Sequence, residues 1–241
     1  MRVAAVVVFA VACSSPPRPQ PFIGNAPSLN PSGAAPRVAR GGMYGLTTLG
    51  LPAVAADGSR IVAASRESDG ARGMPNMTIV MKDRDDREVD RHVVLSVAEA
   101  DTMLDDAEGK NPPLDERVAR ANHWLHDRHA VLKLVALPLL DPEPTRVPAD
   151  RTKATRAGMT VAWQTGHLQI TDGADVLVDR QTPSSWLAET VTVGTTVCRR
   201  AAYLGAAAVD RARALAVVTI SYAADGEFCV EPPEQHHVVT W

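Results

Sequence analysis

Aromatic residues are scarce in this chain: Phe, Trp and Tyr together make up 4% of 241 residues. That is too few for the stacking platforms on which unpaired bases are held. No excess of positive charge is present either. Lys and Arg number 25 against 28 Asp and Glu, for a net charge of −3, which removes the basic footprint of a nucleic-acid binder. After the first dozen residues no stretch approaches eighteen consecutive apolar residues, so none has the length of a membrane-spanning helix. The chain has no G-x-S-x-G elbow, no S-x-x-K with its partner motifs, no HExxH and no Walker A lysine loop. Gly41-Gly42 with Gly45 lacks the strand–helix setting of a dinucleotide fingerprint. These gaps count against a familiar hydrolase, kinase or dehydrogenase and do not bear on a site assembled from dispersed residues. Cysteines number three, none in a C-x-x-C pair, so a zinc site built on cysteine is poorly supported.

What is present begins at the N-terminus. Arg2 supplies one positive charge, residues 3–11 form an unbroken apolar run, and Ala10-Val11-Ala12-Cys13 leads into Ser14-Ser15-Pro16-Pro17. A charged start, a short apolar core and small residues before a break is the pattern of a secretory signal. The cysteine at the break resembles the lipobox of bacterial lipoproteins. That resemblance implies cleavage before Cys13, acyl chains on its thiol and new amino group, and attachment to the cell envelope. Ser14 stands where that family's inner-membrane retention signal has Asp, which favours the outer membrane. With Cys13 acylated, Cys198 and Cys229 remain as an even pair, expected to form a disulfide in an exported protein. Closing that loop would contribute roughly 3–4 kcal/mol in the chain-entropy account. Two buried free thiols are the alternative.

Residues 14–40 carry seven prolines among small polar residues and read as an extended linker, with the globular part starting near Gly41. Residues 51–56 and 60–64 read as a hairpin about Asp57-Gly58. Residues 77–81 and 88–95 extend it into a four-strand meander. The stretch 51–65 resembles the first two strands of a blade in TolB-type β-propeller repeats, through its Asp-Gly turn and flanking apolar residues. From 96 to about 128 the period becomes helical, with Ser96 and Glu99 forming a capping box and 109–113 breaking the segment into a helical hairpin. Residues 130–140 read as an apolar strand, followed by a second proline-rich tract to about Ala157. Strands are expected at 159–163, 167–171, 176–179 and 190–198. A second meander is expected from 203–210, 213–222, 228–231 and 236–241. A shift of 153 residues aligns Leu51, Ala53, Ala55, Asp57, Arg60 and Ala63 with Leu204, Ala206, Ala208, Asp210, Arg213 and Ala216; an internal repeat would give this match, and so would high alanine content on a shared strand–turn–strand pattern.

Few residues stand out as chemistry-bearing. His123 and His126 share a helix face and could grip one metal ion, with His129 nearby, although no third ligand is identifiable. A polar helix end is the plainer reading. Asp83, Asp85 and Asp86 lack the spacing of a calcium loop and read as a solvated hairpin turn. His236 and His237 face opposite sides of a strand, so one at most would join a pocket. Trp163 and Trp241 read as core, and Trp186 as a loop plug or a ligand edge.

Together these features predict an α+β, β-dominant fold. It consists of antiparallel four-strand meanders, sandwich-like or propeller-blade-like, with an inserted helical hairpin. The expected division is a signal over 1–12, a lipidated cysteine and linker over 13–40, and a globular domain over 41–241. No cofactor is expected. The expected partners are the membrane, through the lipid on Cys13, and an envelope protein, whose extended segment could pair with an edge strand. The expected role is non-enzymatic binding. The alternative is an exported metal-dependent hydrolase using His123 and His126.

Overall fold

The computed structural model describes residues 33–41, 45–66, 76–103, 112–187, 190–193, 196–224 and 233–241. Cys13, most of the proline-rich tract and Cys229 lie outside the described residues. The first strand, β1 (Arg37–Gly41), pairs with β2 (Gly45–Leu49), so ordered structure starts ahead of Gly41. Two hydrogen bonds from one side chain hold this hairpin down: Val38 N donates to Asn122 Oδ1 at 2.7 Å, and Asn122 Nδ2 donates to Val38 O at 3.0 Å.

The first large sheet contains β3 (Ala53–Val54), β4 (Arg60–Ser65), β5 (Met77–Asp83) and β6 (Glu88–Leu95). The β3–β4 turn is set locally: Gly58 has φ +74°, and Ser59 N donates to Asp57 Oδ1 at 2.9 Å. Then comes α1 (Val97–Met103), started by the expected capping box. Glu99 N donates to Ser96 Oγ at 3.3 Å, while Ser96 N and Oγ both donate to Glu99. These bonds from Ser96, joined by the Arg117 guanidinium, hold the Glu99 carboxyl down at about 2.

Helix α2 (Pro112–Leu132) runs further than expected, and β7 (Val135–Ala136) supplies only two residues of the strand expected over 130–140. The apolar residues there serve different neighbours. Leu134 joins the core under α2, whereas Leu137 and Leu140 reach the later sheets. The sheet order is β6-β5-β4-β3-β7.

The tract expected to be a second linker instead forms β8 (Asp141–Pro142), a 3₁₀ turn (Pro148–Asp150) and β9 (Lys153–Arg156). Pro142 is tolerated because β8 is an edge strand. β10 (Met159–Gln164), β11 (His167–Asp172) and β12 (Asp175–Gln181) follow as a meander. Thr165 and Gly166, at φ +50° and +83°, make the tight turn whose twist suits a two-residue hairpin.

The last sheet holds β13 (Thr190–Val193), β14 (Thr196–Asp210), β15 (Leu215–Ala224) and β16 (Gln235–Thr240), in that order. β13 occupies the edge next to β14. The expected strand at 228–231 lies outside the described residues. Both stretches of the proposed repeat fold as hairpins, β3–β4 and β14–β15, and their turns touch. Arg213 Nε donates to Ala56 O at 3.1 Å, and the Arg213 guanidinium also grips Asp210.

The sheets stack in layers. Alternation along β14 and β15 sends Leu204, Ala207, Val209, Ala216, Val218 and Ile220 toward β10 and β11. Ala208, Leu215 and Val217 go the other way, onto Val54 and Ile61. The middle sheet is buried on both faces, which is why β15 reads as a near-continuous apolar run. β10 buries only every second residue, as one-sided burial requires. On the far side of the first sheet, Met77, Ile79 and Val94 meet Leu114, Ala121 and Leu125 of the helices. The architecture is therefore α+β and β-dominant: among the described residues, three large antiparallel sheets in layers and the small β1–β2 hairpin, with the helices on one outer face.

Candidate functional site

His123 and His126 lie on α2 and are exposed. His123 Nε2 sits 3.5 Å from Asp127 Oδ2, one turn on. Among the described residues no group of three or more His, Cys, Asp or Glu side chains is arranged to hold a metal ion. His123 instead borders an open groove of about 480 Å³ between α2 and β6. The floor of that groove is Trp124. His92 of β6 stacks beside its ring at 5.7 Å, and the Arg128 guanidinium lies 4.0 Å from the ring centroid. Arg128 also pairs with Asp90 at 2.6 Å. Ala119 and Arg120 form the helical wall. Nothing in the local sequence singles out Trp124, because its partner strand lies some thirty residues earlier.

The other dense polar cluster joins the β5–β6 turn to β16. Asp83 caps its own turn, accepting from the N–H of Asp85 and of Arg87, as a solvated turn should. Asp86 does not stay in solvent. At φ +64° its side chain turns inward. Oδ1 accepts from Lys82 Nζ and from Val238 N, each at 2.8 Å, and Oδ2 meets His237 Nδ1 at 2.8 Å. Burial alone would raise the Asp86 carboxyl; the hydrogen bonds from His237, Lys82 and Val238 outweigh it and hold the group below the usual carboxylate range. His237 stacks on Trp186 with ring centroids 3.7 Å apart. Trp186 therefore plugs the interface rather than marking an open ligand edge. Burial lowers His237, and Asp86 opposes the shift.

His236, the next residue, is buried on the opposite face. Its Nε2 lies 2.9 Å from Ala64 O, so that nitrogen donates, and Nδ1 accepts from Thr219 Oγ1 at 3.0 Å. Burial pushes this imidazole down to about 4, against the pull of the Ala64 carbonyl. Glu234, half-buried beside it, accepts from Ser221 Oγ at 2.9 Å, and the loss of solvent raises its carboxyl.

Between this edge of β16 and the first sheet lies a polar cleft of about 240 Å³, bordered by Thr78, Lys82, Glu88, Glu234 and both histidines. The Asp86–His237 pair has the polarity of a general-base dyad. Among the described residues, however, no hydroxyl or thiol is hydrogen-bonded to the free edge of His237; its Nε2 faces Gln235 Oε1 at 3.3 Å. The pair ties two sheets together, and the space around it can hold a ligand without an evident reaction.

Strand β6 forms a wall shared by these two recesses. Trp163 and Trp241 sit in or against the core of the last two sheets, as expected. Cys198 is fully buried and disulfide-bonded. Comparison with known proteins finds no matching protein family, no matching curated protein and no matching solved structure.

Proposed function

We propose that this protein is a non-enzymatic, lipid-anchored component of a bacterial cell envelope that acts by binding another envelope component. The observation that carries the reading is the order Arg2, apolar run, Cys13, Ser14 followed by the proline tract. The disulfide at Cys198 supports it, since disulfides persist in oxidising, extracytoplasmic compartments. Cys229 is its proposed partner, leaving Cys13 for the lipid. Ser14 points to the outer membrane. The two open recesses beside β6 suit recognition, and their polar groups are committed to one another rather than poised around a nucleophile.

The test is acylation. The chain should incorporate labelled palmitate and fractionate with membranes, and Cys13→Ser should abolish both. A variant that keeps the label and the membrane fraction would remove the anchor reading.

A further inference from the structure

We propose that β6 is a docking strand for an extended, acidic segment of a partner protein, which adds to the sheet edge and sends alternate side chains into the recesses on either side. The inference rests on the reading of this protein as a binding component and supplies the partner's chemistry. It does not require the lipid anchor.

Three observations converge on β6. First, it is the outer strand of its sheet: among the described strands it pairs with β5 alone. Between two register shifts against β5, residues 90–93 form a regular edge, a template for another backbone of the kind that proteins usually cover or blunt. Here Val89 and Val93 stand 44% and 46% exposed on it. Second, the strand has a recess on each face. Asp90 and His92 point toward α2, where Asp90 pairs with Arg128 and His92 borders the groove floored by Trp124. Glu88 borders the polar cleft on the face toward β16. Successive side chains of an added strand point to opposite faces, so one extended peptide would fill both at once. Neither recess alone calls for an extended ligand; the edge between them does.

Third, charge selects the occupant. The wall along α2 presents Arg120 and Arg128 against Asp127. Arg128 is already held by Asp90, whereas the Arg120 side chain is 60% exposed and among the described residues pairs with Glu116 alone, at 3.8 Å, itself exposed. An acidic side chain of the incoming segment would find Arg120, and an apolar one would lie on Trp124.

The test uses the full chain and random decapeptides displayed on phage. Enriched sequences should carry an acidic and an apolar residue two positions apart, so that both enter the groove along α2. Bound as synthetic peptides, they should slow amide exchange across 88–95 by about tenfold or more. N-methylation of alternate peptide amides should abolish binding, because the ladder is lost. Ala119→Trp fills the groove from an exposed helix position and should weaken binding about tenfold, and Arg120→Glu should do the same for acidic peptides. The proposal is overturned if no peptide enriches, if enriched peptides protect other elements, or if both variants bind as the parent does. It is equally overturned if the chain alone self-associates with protection of 88–95, which would make the occupant a second copy. Because palmitate labelling is read separately, loss of the anchor reading and loss of the docking reading give different results.

Discussion

Lowering the pH should destabilise this protein, most of all through the buried imidazole of His236. His236 is held neutral, donating from Nε2 to the Ala64 carbonyl and accepting at Nδ1 from Thr219. Burial, with Lys82 and His237 nearby, sets its pKa at about 4 against an ordinary value of 6.5. In the unfolded chain the ring takes up its proton near 6.5, so between there and about 4 the unfolded state binds more protons. Stability therefore rises with pH across that window and is flat above it. The full difference amounts to about 3 kcal/mol, and about 2.5 kcal/mol is already lost near pH 4.5. Carboxylates whose folded values are depressed, Asp86 and Glu99 among them, lose stability in acid too, but lower on the scale. His236→Gln keeps an amide donor within reach of Ala64 and cannot titrate. Urea midpoints at about pH 7.5 and about pH 4.5 for the parent and the variant isolate the histidine. The variant should lose about 2 kcal/mol less than the parent on acidification. Equal losses in both proteins would refute the assignment.

Other perturbations follow from the geometry. A methyl at Gly205 meets the Ser221 hydroxyl at the β14 bulge, so Gly205→Ala should cost about 2 kcal/mol in urea unfolding. Ser96→Ala removes one half of the α1 capping box and should cost about 1 kcal/mol by the same assay. Cys198 should resist alkylation until reduced, and peptide mapping of the unreduced protein should find it joined to Cys229. Free labelling of the native chain would remove that pairing.

Much of the fold was legible because it is local. The turns at Asp57-Gly58 and Gly166, the β6 boundaries and the Ser96–Glu99 cap each depend on neighbouring residues. Segments 130–140 and 141–157 misled for a physical reason. Their apolar residues and prolines suggest a strand and a linker, but the chain there passes between layers and takes its hydrogen bonds from partners far away. Leu137 N reaches Pro52 O, and Leu140 N reaches Ala207 O. The candidate site was less visible still. Asp86 and His237 are 151 residues apart, and nothing in a hairpin turn announces that one of its aspartates will close an interface. The paired histidines stand out in the sequence, but only the layer packing reveals that both are committed, His236 to Ala64 and Thr219 and His237 to Asp86.

The middle sheet is built from the last quarter of the chain, and this imposes an order on assembly. A chain that crosses a membrane N-terminus first delivers both outer layers before the layer between them. Until β14 to β16 emerge, Val54 and Ile61 lack most of their cluster, and the Trp163 side of β10 lacks the middle sheet. The closing contacts span long separations, such as the 157 residues between Arg213 and Ala56, and such loops close slowly. The last segment to arrive includes the apolar run of β15, the part of the chain most prone to stick to another copy. Export would then place this protein among those that depend on a holding chaperone, with truncations near the C-terminus costing the whole fold rather than one sheet.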